Sequence, residues 1–392
     1  MAPTTRLAVV AALALAAVLT RPAGAAEPFD VPVVLPLTGG AAFLGIGEKT
    51  ALQLAEGVIN ANGGVRGAKL QFTFYDDQSS PQVAVELTSR IKTSHPPVML
   101  GSAIVAMCNA MAPVIADGPV MYCLSPGIHP SAGSKVFTGF ISTRDLARAL
   151  VTYYRGRGFK HLAMITSTDA SGQDGRASFE AALQLPENLD LQMASAVQFN
   201  PTDVSVSAQI EQIRAAKPDA LIVWTSGSPM GTVLKGIVQS GLDVPVGTTD
   251  ANMTFAQMQQ YAAFLPTEML YMSSEWPPHA DTVPLDPKVD AAQKVMFDAY
   301  AAAKAKPDIA AALAWDYGML IADTLQAVGL DGTPEMVRAH IAATKDWAGV
   351  NGIYDFTRVP QRGLDVTDSV VTRWQPDRQT WTIVSKPGGA PL

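Results

Sequence analysis

The chain has 392 residues, 48% of them hydrophobic and 16% charged, with 28 Lys plus Arg against 35 Asp plus Glu for a formal net charge of −7. A chain this long exceeds what one hydrophobic core supports, so two lobes are expected. The acidic balance and the lack of a basic cluster speak against nucleic acid and anionic membrane surfaces as partners.

Arg6 precedes an apolar run from Leu7 to Leu19, and the small residues Ala23-Gly24-Ala25-Ala26 follow. Thirteen apolar residues are too few for a bilayer span, which takes about 20. They fit a secretory signal peptide over residues 1–25, with cleavage after Ala25 or Ala26. No Cys lies near that site, which argues against a lipid-modified N-terminus, and no later stretch is long and apolar enough to span a membrane. An exported, free protein is expected.

The next unit is the most informative. Val31 to Leu37 reads as a strand buried on both faces, broken by Thr38-Gly39-Gly40. Helix is predicted from about Gly47, with Ala51, Leu54, Ala55, Val58 and Ile59 at helical spacing. Asn62-Gly63-Gly64 ends it, and Lys69 to Tyr75 alternates as a second strand. Such a βαβ unit opens its loops at the strand C-terminal edge, where open α/β sheets bind small ligands.

The alternation continues through helices at Val83–Lys92, Met107–Ala116, Arg144–Arg157, Ser171–Leu183, Val204–Ala216 and Met230–Ser240. Between them lie strands at Val98–Gly101, Val120–Leu124, Val136–Phe140, Leu162–Thr166, a strand ending at Val197–Phe199, then Ala220–Trp224 and Val244–Gly247. This pattern predicts an α/β fold of mostly parallel sheets flanked by helices. From Lys288 to Ala343 the chain reads as almost wholly helical, and Asn351 to Val384 returns to short strands. The C-terminal third therefore serves both lobes.

Two cysteines occur, Cys108 and Cys123. In an exported chain an even count invites a disulfide, worth about 3 kcal/mol in the chain-entropy model. Two buried thiols are the alternative. No metal site is expected, because two cysteines without His at ligand spacing leave a zinc site incomplete.

The opening unit, the Ser125-Pro126 turn after Cys123, the loop within Leu162–Gly175, Pro218-Asp219-Ala220 and Gly241-Leu242 together resemble the periplasmic branched-chain amino acid binding protein family. These are solute receptors of ABC importers with the type I periplasmic binding fold. The resemblance runs from about Val31 to Val384, and its strongest piece is the spacing of Pro36-Leu37-Thr38-Gly39, Ala51 to Asn62, and Gly63 to Pro81. It implies a periplasmic protein of two lobes joined by three hinge crossings, near Ser142–Arg144, Ser273–Glu275 and Gly349–Tyr354. Lobe 1 would comprise residues 27–143 and 275–350, lobe 2 residues 144–274 and 351–392. A solute bound in the cleft would close the lobes into a surface read by a membrane permease. A monomer without cofactor is expected.

The resemblance also implies ligand contacts. Relatives hold a carboxylate with hydroxyls and backbone amides, which points here to Ser125, Gly127 and His129; His129 is equally readable as a solvated loop residue. The first loop departs from the pattern. Ser102 to Met107 is apolar where relatives place serines, leaving Ala103 and Ile104 to line the ligand and backbone amides to receive an anion. Asp250 and Asp169 are candidates for an ammonium partner, although Asp250 is one place out of register and Asp169 is also a natural helix cap. Phe43 matches an aromatic that covers the ligand, and Ser226 is a further candidate. For Trp224, Trp276, Trp315 and Tyr317, packing competes with ligand contact. An apolar first loop and an uncertain ammonium partner suit an aromatic acid as well as a branched-chain or other apolar amino acid.

A secreted hydrolase acting on a small ester or amide is the rival. Gly227-Ser228-Pro229-Met230-Gly231 is not a nucleophile elbow, and no H-E-x-x-H occurs. Gly47 and Lys49 are separated by Glu48, so the phosphate-loop spacing fails.

Overall fold

The computed structural model describes residues 27–277 and 284–392; the expected signal segment lies outside them. The first sheet is built from five parallel strands: β1 (Phe29–Leu35), β2 (Leu70–Asp76), β3 (Val98–Leu100), β4 (Val120–Cys123) and β5 (Val136–Thr138), in the order β2-β1-β3-β4-β5. Val31, Val33, Val34 and Leu35 of β1 are wholly buried, as expected of a strand covered by helices on both faces. Helices α1 (Ala42–Ala61), α2 (Pro81–Lys92) and α3 (Val105–Met111) make the crossovers. Ser80 starts α2 by accepting from the Val83 amide, with Pro81 at the first helical position where its missing N–H costs nothing.

The chain then crosses through Ser142, which caps α4 (Thr143–Gly156) by accepting from the Asp145 amide at 3.1 Å while its hydroxyl donates to the Asp145 carboxylate at 2.7 Å. The second sheet takes β6 (His161–Ser167), β7 (Gln192–Phe199), β8 (Ala220–Trp224), β9 (Val246–Thr248) and β10 (Met269–Ser273) in parallel. Helices α5 (Ala170–Leu183), α6 (Ser207–Ala215), α7 (Pro229–Ser240) and α8 (Phe255–Tyr261) accompany them. Gly241 ends α7 in the left-handed region, φ 69°, where an L side chain would be strained. Helices α9 (Pro287–Ala302), α10 (Ile309–Val328) and α11 (Pro334–Ala343) return to the first half, where α10 packs along α1. A two-stranded hairpin, β11 (Trp347–Gly349) and β12 (Gly352–Tyr354), follows, and β13 (Val370–Gln375) and β14 (Thr380–Ile383) extend the second sheet in antiparallel fashion to seven strands.

Two expectations need correction. Helix α1 starts at Ala42 rather than near Gly47, so the loop before it is short. The Asp76 carboxylate accepts from the amides of Leu37 and Thr38 and from the Thr38 hydroxyl, which pins that loop. Gly45 and Gly47 are packing glycines inside the helix. A Cβ on Gly45 would lie 2.3 Å from the Pro36 carbonyl oxygen, and one on Gly47 would lie 2.5 Å from Ala310 Cβ.

The third crossing also lies later than Gly349–Tyr354. Residues 355–364 belong with the first half: the Gln361 carbonyl accepts from the Thr138 amide, and its side-chain amide donates to the carbonyls of Ser134 and Val136. The chain joins the second sheet only at Val370. The boundary expected at residue 351 is displaced because a buried loop must pair its polar groups, and these residues pair with β5.

Candidate functional site

Loops at the C-terminal ends of β3 and β4 face loops at the C-terminal ends of β6, β8 and β9, and together they line one cavity. The first side contributes Leu44, Ala103, Ile104, Val105, Ser125, Pro126 and Gly127; the second contributes Ser171, Trp224, Ser226, Thr249 and Ala251. Thr143 at the start of α4 and Leu313 of α10 complete it. The space between these residues, including its mouth, is about 370 Å³. No lining residue carries a formal charge.

The hydroxyls of Ser125 and Thr143 have no hydrogen-bond partner among the described residues, so both are available to a guest. Ser171 and Ser226 lie hydroxyl to hydroxyl at 3.3 Å, and the Thr249 hydroxyl donates to Asp250 at 2.7 Å. Trp224 lines the cavity while its indole packs against Gly175 and Phe179. A Cβ on Gly175 would lie 2.2 Å from the Trp224 ring, so the absence of a side chain there is what lets the indole seat.

Of the residues expected to contact a ligand, Ala103, Ile104, Ser125, Gly127 and Ser226 line this cavity. The other four lie elsewhere. Phe43 stands at the rim, where Gly227 of the opposite half comes against it and Gly40. His129 bridges to Asp174 of α5 through Nε2 at 2.7 Å, across the mouth. Asp169 caps α5, accepting from the Gly172 amide at 2.9 Å and the Ser167 hydroxyl at 2.7 Å. Asp250 is wholly buried between Thr249 and Ala251; one oxygen accepts from Thr249, the other has no partner among the described residues, and burial pushes its pKa up to about 6.

Ser171, Thr143, Thr249 and Leu313 were not singled out from sequence. Ser and Thr at the start of a helix read as caps, and nothing local marks Leu313 of α10 as facing a strand edge of the first sheet. Glu48 was considered only as a break in a phosphate-loop pattern. It is wholly buried one turn below Leu44, and desolvation, reinforced by Asp77 and Asp308, pushes its carboxyl well above the usual range.

The cysteines are joined: a disulfide links Cys108 in α3 to Cys123 at the end of β4. It ties together the two segments that carry Ala103–Val105 and Ser125–Gly127. No group of His, Cys, Asp and Glu suited to a metal ion occurs among the described residues, and no helix among them is long and apolar enough to cross a membrane.

Residues 28–379 match the family described as periplasmic binding protein. The chain is 22% identical over 237 residues to the leucine-, isoleucine-, valine-, threonine-, and alanine-binding protein of Pseudomonas aeruginosa, covering 59% of this chain and 63% of that one. Among solved structures, an extracellular ligand-binding receptor from Rhodopseudomonas palustris superposes with a TM-score of 0.79 at 19% identity, covering 92% of this chain and all of that one. A solute binding protein of an R. palustris ABC transporter, in complex with benzoate, gives 0.74 at 20% identity over 91% and 95% of the two chains. Such identities establish the fold, that of the type I periplasmic binding proteins, and the family is one of binding proteins rather than enzymes. With its family model matched over most of the sequence, the chain belongs to the periplasmic binding protein family.

Proposed function

We infer that this protein captures a small hydrophobic carboxylate in the cavity between its halves and delivers it to the membrane permease of an ABC importer, working in the periplasm. The observation that carries this reading is the cavity itself: uncharged, walled by Leu44, Ile104, Val105, Leu313 and Trp224, with free hydroxyls at Ser125 and Thr143. Apolar walls with a few convergent polar groups are the ordinary make-up of a small-ligand pocket. Since no carboxylate lines the cavity, an acid without an α-ammonium group, such as an aromatic acid, fits better than an amino acid. The P. aeruginosa relative and the benzoate complex stand for the two ligand classes.

An apolar amino acid is the second reading, favoured by one observation. Asp250 sits between two cavity-lining residues with an oxygen unpartnered among the described residues. A thermal-shift screen of the mature protein against amino acids and aromatic acids tests both, because a ligand that binds only the native state raises stability by RT ln(1 + [L]/Kd). Benzoate and its ring-substituted analogues are expected to raise the melting temperature most. If leucine does so instead, Asp250→Asn should abolish that shift. Turnover of an ester or amide with no shift from any solute would sink the binding role.

A further inference from the structure

Arg362 is only 5% exposed, yet its guanidinium hydrogen-bonds only to backbone carbonyls. Nη1 donates to Gly139 at 3.3 Å and Phe140 at 3.2 Å, while Nη2 donates to Pro126 at 3.2 Å and Ile128 at 2.6 Å. Among the described residues it makes no ion pair. Of the acids within electrostatic reach, Asp145 accepts from Ser142, and Asp174 meets His129 through one oxygen while the other, unpartnered among the described residues, lies beside Gly127. Burial pushes its pKa down to about 10, which leaves it charged at neutral pH. A buried charge without a counter-ion is costly, and here only carbonyl dipoles compensate it.

Two of those carbonyls belong to the loop that lines the cavity. A trans peptide sets its N–H antiparallel to its C=O. The bond from Arg362 to the Pro126 carbonyl therefore turns the Gly127 N–H away from the guanidinium. Gly127 lines the cavity, and its N–H has no partner among the described residues. From the rear the Thr138 hydroxyl takes the Ser125 carbonyl at 2.7 Å, which fixes the other end of the same loop. The guanidinium thus polarises peptides whose positive ends are turned away from it, in surroundings too dry to screen the effect.

We propose that Arg362 is the positioning residue that makes this cavity select anions: it orients the Ser125–Ile128 loop and supplies, one layer behind the wall, the positive charge that no lining residue carries. The proposal rests on the reading of the cavity as a carboxylate site.

Calorimetric titration of the mature protein with benzoate and with benzamide, its uncharged near-isostere, tests it. The wild type is expected to prefer benzoate by about tenfold or more. Arg362→Gln keeps amide donors without the charge, and its ratio should fall to about one. Arg362→Lys keeps the charge but cannot serve four carbonyls, so it should bind both probes more weakly while still preferring benzoate. Circular dichroism and thermal melts identify the folded variants. A folded R362Q protein that retains the preference overturns the role of Arg362 and leaves the carboxylate reading standing. Should R362Q not fold, a folded R362K protein without the preference overturns it equally. A wild type with no preference for benzoate overturns both.

Discussion

The two walls of the cavity are alike on the surface and opposite behind it. Neither presents a charged side chain, yet each hides one: Arg362 behind the Ser125–Ile128 loop and Asp250 within the Thr249–Ala251 turn. The arginine spreads its charge over four carbonyls and stays ionised, whereas Asp250 leaves one oxygen without a partner among the described residues and has its pKa raised by burial to about 6. A buried ion persists where several dipoles converge on it, whereas a carboxyl with few donors holds its proton to a higher pH.

The first wall owes its shape to a covalent tie, and removing it should produce the largest effect. A Cys108→Ser, Cys123→Ser double variant is expected to lose about 3 kcal/mol of stability, read as a lower urea midpoint, together with weaker binding because Ala103–Val105 and Ser125–Gly127 are no longer tethered. A midpoint equal to that of the wild type would show that packing alone holds this wall.

The second wall is sharpened by pH. The folded pKa of Asp250, about 6, lies above the ordinary 3.8. Its protonated form therefore contributes stability that is fully present below about pH 4 and lost as pH rises through about 6. Asp250→Asn should match the wild type near pH 4 and be more stable by about 3 kcal/mol at pH 7.5. Paired melts across that range check it, and a pH-independent difference would show that Asp250 stays ionised in the fold. Across the mouth, His129 and Asp174 are 28% and 16% exposed at the side chain, so their pair is partly screened. Asp174→Asn should lower solute affinity by less than about fivefold, chiefly through faster dissociation, measurable by stopped-flow fluorescence of Trp224.

The parallel α/β architecture was legible because apolar runs and helical spacing are local. Ala220–Trp224 was read to the residue, and of the turn expected to touch a ligand, Ser125 and Gly127 line the cavity while His129 does not. What escaped the sequence depends on distant partners. The helix start was expected near Gly47, five residues late, because Pro36 and Ala310, which press on Gly45 and Gly47, are placed by the fold. Gln361 and Arg362 were not singled out, because their partners are remote: Arg362 bonds Phe140 from 222 positions away. Asp169 and His129 are polar residues on the right loops, but a helix cap and a hydrogen bond to Asp174 engage them. A side chain's partner, rather than its type, decided each of these cases.

The late return of the chain to the second sheet limits how the molecule can open. Arg362 is bound to the first half and β13 begins at Val370, and within that stretch Asp365 and Asp368 cap one another across a single 3₁₀ turn. Seven intervening residues would reach about 25 Å if fully extended, but a turn locked by reciprocal caps reaches much less. The connection is a short strap between the halves, which limits how far they can separate at this crossing. The contact of Phe43 with Gly227 lies between the same two halves that this strap joins.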